Sequence, residues 1–225
     1  MIDEPRAAGA VPRQSALRGL ARLVTETPWA MTGEDLQRAR ADGLDDAEVL
    51  QVIALAAIFG YLNRVADAVG IELDYEVAHV PPPPDPETPA LPVPDRAEWP
   101  EPGEPSPLRL SQRSGAAELV QAWRQYVLER DAPLPRDLRT AIVAQVAART
   151  GDAARARGHV DGALPAPVAA YVDLLALAPW RLGAAALAPL RAAGFDDDAL
   201  FDLIATASFA TFQSRVSAAL AGLAR

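Results

Sequence analysis

Asp152, Arg155 and His159 are spaced three and four residues apart, which stacks side chains along one face of a helix. A carboxylate, a guanidinium and an imidazole aligned in this way could serve as acid, anion clamp and base on a small carboxylate or lactone, without a thiol. The same spacing also suits a structural arrangement, in which Asp152 pairs with Arg155 at the surface and His159 offsets the dipole at the helix end. Arg64 and Arg215 form a second set, with Asn63 beside the first of them; each arginine interrupts an otherwise apolar stretch. A guanidinium there must find water or a partner, because a lone buried charge is very costly. It could recognise a small carboxylate ligand, or it could pair with Asp67 or an acid of a neighbouring helix.

Other chemistries are closed by composition. The 225 residues contain no cysteine, and every one of the 21 basic residues is arginine, so thiolate nucleophiles, CxxC pairs, Schiff-base lysines and P-loop lysines are all excluded. The only histidines are His79 and His159, and GxSxG, HExxH, EF-hand and glycine-rich phosphate loops are absent. His79, at the edge of a proline run, reads as a solvated side chain. No cofactor and no metal site is expected. The net charge of -9 repels phosphate backbones and anionic lipid, so neither nucleic acid nor membrane is expected as a partner.

Positioning falls to helices. Apolar residues recur at three- and four-residue spacing with almost no alternating β-branched runs, which makes the chain all-α. Helices are expected over 13–26, 33–42, 46–69, 115–130, 136–149, 152–160, 166–178, 182–193 and 196–222. Twelve of the 21 prolines lie between Pro81 and Pro107, with a local charge of -5, so residues 80–108 read as an extended acidic linker between units 1–79 and 109–225. Met1 to Ala10 holds acids and no apolar core, and the uncharged run Val52–Leu62 is shorter than the ~18–20 residues a bilayer needs. A cytoplasmic protein is expected.

Residues 12–73 can be laid over 163–224, in the C-terminal segment 163–225, at a constant offset of 151 without a gap. Pro28 and Trp29 then fall on Pro179 and Trp180, Arg40 on Arg191, Gly43 on Gly194, Asp45 and Asp46 on Asp196 and Asp197, Ile53 on Ile204, and Arg64 on Arg215. Gly43 and Gly194 suit a left-handed helix end, and Asp45 and Asp196 suit the cap of the next helix, with Glu48 completing a capping box in the first segment. Each segment reads as a helical hairpin, with its tryptophan packed across the turn. The helix from Asp46 to Val69 is apolar on every side, through Leu50, Ile53, Leu55, Ile58, Phe59, Leu62 and Val65, so it is expected to pack against the C-terminal unit or another chain.

The run from Leu138 to His159 resembles the catalytic helix pair of the alkylhydroperoxidase D (AhpD) and carboxymuconolactone decarboxylase superfamily. Gly43 to Glu48, followed by Phe59 and Asn63 to Asp67, resembles the C-terminal half of its peroxidase-related branch. The resemblance implies an AhpD-like helical domain over 109–225 and a second copy of that domain's C-terminal half over 12–75. The family's redox motif is a glutamate, a CxxC pair twelve residues later and a histidine four residues beyond. Here Thr140, Asp152 and Arg155 stand at the glutamate and cysteine positions, and His159 alone matches. The resemblance therefore implies a scaffold without peroxidase activity. It also implies an oligomer, either of this chain or beside a cysteine-containing relative, with the acid/base enzyme on a small carboxylate as the alternative.

Overall fold

A computed structural model describes residues 10–71, 87–99, 116–157 and 164–224, and they are helical: α1 (Ala10–Glu26), α2 (Gly33–Ala41), α3 (Asp46–Val69), α4 (Ala116–Leu128), α5 (Arg136–Thr150), α6 (Ala153–Arg157), α7 (Ala166–Leu177), α8 (Ala184–Ala192) and α9 (Asp197–Gly222). Local chemistry sets the ends. α3 starts in a full capping box, with Asp45 accepting from Glu48 N and Glu48 accepting from Asp45 N, and it stops at Gly70 in the left-handed conformation. α5 and α7 follow Pro135 and Pro165, whose extended backbones open the first turn.

At the offset of 151 the two segments contain the same elements. α1 and α7 end on Glu26 and Leu177, single 3-10 turns follow at Pro28–Ala30 and Pro179–Arg181, then come α2 and α8, then α3 and α9. Corresponding joints share their backbone angles: Thr27 lies at φ -140, ψ 57 and Ala178 at φ -148, ψ 56, while Asp45 lies at φ -85, ψ 169 and Asp196 at φ -79, ψ 176. Arg40 pairs with Asp46, and Arg191 pairs with Asp197.

Packing joins the two sequence units. One apolar cluster combines Leu20, Val24, Leu36, Leu50 and Ile53 of the first segment with Phe209, Phe212, Val216 and Ala219 of α9. Another combines α5, α7, α8 and α9 with Ala68 at the end of α3. α3 and α9 pack along each other, and α9 is covered on its remaining faces by α4, α5 and α7. α9 is therefore buried almost all round, down to Thr206, Ser208, Thr211 and Ser214. α3 buries only the face carrying Val49, Leu50, Ile53, Ala57, Arg64 and Ala68, and leaves Leu55, Ile58, Phe59 and Leu62 exposed.

The middle of the proline-rich linker is docked. Leu91 N donates to Leu177 O at 2.7 Å, Arg181 Nη2 donates to Thr88 O at 2.6 Å, and Pro94 and Trp99 are buried. Counted as a helix, α3 has 24 residues and is long and apolar enough to cross a membrane by length and composition, although the uncharged run within it is short.

Gly151 ends α5 at φ 72, and a Cβ built on it would lie 2.6 Å from Trp29 Cβ, so this glycine lets the Trp29 turn seat against α5. Gly151→Ala is expected to cost roughly 2–4 kcal/mol, combining strain at positive φ with overpacking. Gly194→Ala, at φ 92 with open space around it, is expected to cost about 1 kcal/mol. Urea titration of both variants checks the order, and equal losses would contradict the Trp29 contact.

Candidate functional site

Asp152 and Arg155 meet as an ion pair. Asp152 is 2% exposed; its Oδ1 accepts from Arg155 N at 3.3 Å, capping α6, and its Oδ2 pairs with Arg155 Nη1. The carboxylate is thus held by the first turn of the helix it begins. His159 lies outside the described residues, as does His79. Arg155 also lines a small pocket of about 180 Å³ with Arg124, Leu128, Thr140, Val143, Ala144 and Gln213. Thr140 and Arg155 therefore share one pocket. Thr140 donates its hydroxyl proton to Arg136 O, and Gln213 Oε1 is buried with no hydrogen bond among the described residues. Among the described residues, the pocket lining offers cations, a hydroxyl and an amide.

Arg64 and Arg215 are buried, at 4% and 2% exposure, and their partners are carbonyls rather than carboxylates. Arg64 donates from Nε to Leu175 O at 3.1 Å, from Nη2 to Ala176 O at 3.0 Å and from Nη1 to Gly60 O at 2.8 Å. Arg215 Nη1 donates to Val24 O and Thr25 O, and its Nη2 reaches Ala176 O at 3.4 Å. Each arginine closes the C-terminal end of the other segment's first helix, at carbonyls that correspond under the offset of 151. Burial pulls the Arg64 guanidinium down to about 10, against the pull of Asp67, and it lowers Arg215 well below its ordinary value, with the Arg64 charge adding to the effect. Asn63 is exposed. All three nitrogens of Arg64 are already bonded within the protein.

A further cleft gathers residues from three distant stretches. It has a volume of about 620 Å³ and is walled by Tyr61 and Val65 of α3, Trp123, Tyr126 and Val127 of α4, and Phe201 and Ala205 of α9. Trp123 stacks on Tyr126 with ring centres 5.3 Å apart, and burial raises the Tyr61 phenol while a hydrogen bond from Trp123 opposes it. Its floor carries charge. Asp202, 4% exposed, accepts from Arg130 Nη2 at 2.6 Å on one oxygen and is paired with Arg139 through the other. Arg139 is fully buried, with further donations to Val127 O at 2.7 Å, Arg130 O at 3.0 Å, Leu134 O at 3.1 Å and Thr206 Oγ1 at 3.1 Å.

Sequence reasoning passed over this cleft. The available signal was the same one that picked out Arg64: a charge inside an apolar helical run, here Asp202 within Leu200 to Ile204 and Arg139 ahead of Ile142. Among the described residues, no cluster of His, Cys, Asp or Glu is placed to hold a metal ion. No protein-family model, curated protein or solved structure matches this chain.

Because Arg64 and Arg215 both reach Ala176 O and repel each other, removing either relieves the other. The double variant Arg64→Met/Arg215→Met is therefore expected to lose more stability than the two single variants added together, by about 0.5–3 kcal/mol. A double-mutant cycle in urea measures this, and a sum equal to or larger than the double loss would contradict the repulsion.

Proposed function

We propose that this chain is a non-catalytic, AhpD-like helical subunit that acts by self-association through the outer face of α3. The observation that carries this reading is the apolar stripe Leu55, Ile58, Phe59, Leu62 and Val69, whose members are 40–59% exposed on a helix whose opposite face is core. Residues at this spacing line one side of a helix, and an exposed contiguous apolar patch on a folded protein is characteristic of an interface. The corresponding positions of α9 include Phe209 and Ala210, both buried beneath neighbouring helices. α3 lacks that cover within its own chain, and a second copy would supply it by facing stripe to stripe.

The reading of the redox position agrees. Peroxide reduction by this family's route needs a thiol pair, and the residues standing there, Asp152 and Arg155, are engaged with each other. A second reading, a thiol-independent acid/base enzyme on a small carboxylate, draws support from the pocket shared by Thr140 and Arg155. It requires His159 as the base.

The purified chain is expected to sediment as a dimer or larger. Phe59→Asp and Leu62→Asp should each shift it to monomer with unchanged helical circular dichroism. A wild type that sediments as monomer throughout the accessible concentration range contradicts the subunit reading. His159→Ala tests the second reading: turnover of a small lactone by the wild type that the variant loses would favour the enzyme.

A further inference from the structure

From the geometry of the cleft between α3, α4 and α9 we infer a binding site for a small planar apolar acid, its ring held among Trp123, Tyr126 and Phe201 and its carboxylate directed to Arg130. The volume of about 620 Å³ falls within the range of roughly 300–1,000 Å³ typical of small-molecule sites. Trp123, Tyr126 and Phe201 are 41%, 53% and 58% exposed and line one concavity, where Tyr126 is already stacked on Trp123 and lies under Arg130, so the open aromatic surface is that of Phe201 and the outer side of the Trp123–Tyr126 stack. Faces of this kind gain most from another flat apolar group, packed offset or edge on.

The charge of the occupant follows from the floor. Two guanidinium groups, Arg130 and Arg139, share the single carboxylate of Asp202, leaving one positive charge over. Arg139 is walled in by carbonyls and contributes its field alone. Arg130 is the accessible member. Its side chain is 36% exposed, its guanidinium lies 4.1 Å above the Tyr126 ring, and its Nε–H has no hydrogen-bond partner among the described residues. A guanidinium pinned on an aromatic face and already committed through Nη2, with its Nε buried, holds Nη1 in a fixed direction as the donor left for a carboxylate. The one other charged group lining the cleft, Asp198, is exposed in the first turn of α9, where water screens it. A cationic ligand would meet the surplus positive charge at the floor; an anion neutralises it. The site forms within one chain and does not depend on self-association.

Isothermal titration of the full chain with 2-naphthoate, 2-naphthamide and hexanoate tests the site. 2-Naphthoate is expected to bind one per chain, with the neutral amide and the aliphatic acid each about tenfold or more weaker. Trp123→Ala and Phe201→Ala, both at exposed positions, should each weaken 2-naphthoate by about tenfold with unchanged helical content. Arg130→Gln should make the acid and the amide bind alike. Should Arg130→Gln fail to fold, the two aromatic variants and the ligand series still decide. Equal affinity for acid and amide in the wild type overturns the inference, as does no binding of 2-naphthoate or undiminished binding in both aromatic variants.

Discussion

The carbonyl groups at the ends of α1 and α7 constrain the whole arrangement. A helix leaves its last carbonyls without intrahelical donors, and a proline that follows closely has no N–H to offer them. Pro28 and Pro179 occupy that place, so the donors must come from elsewhere. They come from Arg64 and Arg215, each extending from the long helix of one segment to the first helix of the other. For the arginines, the oxygens at a helix C-terminus carry partial negative charge, which offsets part of the cost of burying a guanidinium that has no carboxylate hydrogen-bonded to it. Exchanging contacts in this manner fixes where α3 lies relative to α7 and where α9 lies relative to α1. The two long helices are then brought together, and their apolar faces complete the core.

Much of this was legible in residue types. Helix ends were readable because they are written locally: Asp45 with Glu48, Asp196 ahead of α9, and Gly43 and Gly194 after their helices. That Arg64 and Arg215 needed partners also followed from one charge in an apolar run. The identity of those partners did not. A backbone carbonyl has no side-chain signature, and Leu175 and Ala176 lie 111 and 112 residues from Arg64. An acid such as Asp67 was the natural sequence-level guess, yet it acts on Arg64 only through its charge. The docking of residues 87–99 was hidden for a similar reason, since the bond from Leu91 N ends on another carbonyl, Leu177 O.

The candidate sites divide along the same line between local and distant contacts. Asp152 and Arg155 sit three residues apart, and their pairing could be written down from spacing alone. Burying Asp152 as the cap of a five-residue helix ties its carboxylate to structure. The aromatic cleft is the opposite case. Tyr61, Trp123 and Phe201 come from three stretches that together span more than half the chain, and of the aromatic residues only Trp123 and Tyr126 share a helix. Its polar floor comes from Arg130, Arg139 and Asp202, which are united by a loop folding back on α9. No periodicity within a single helix announces such a group.

α4, α5 and α6 break the correspondence between the halves. α4 and α5 cover α9, and nothing described performs the same service for α3, which explains why one long helix can bury serine and threonine while the other exposes phenylalanine and leucine. The cleft arises at the border of that cover, where α4 ends its span across α9 and α3 begins. Tyr61 and Val65 line the cleft while Leu62, adjacent to Tyr61 in the chain, belongs to the exposed stripe. One helix thus presents two neighbouring unsatisfied surfaces about a quarter-turn apart, one concave with a charged floor and one convex and wholly apolar.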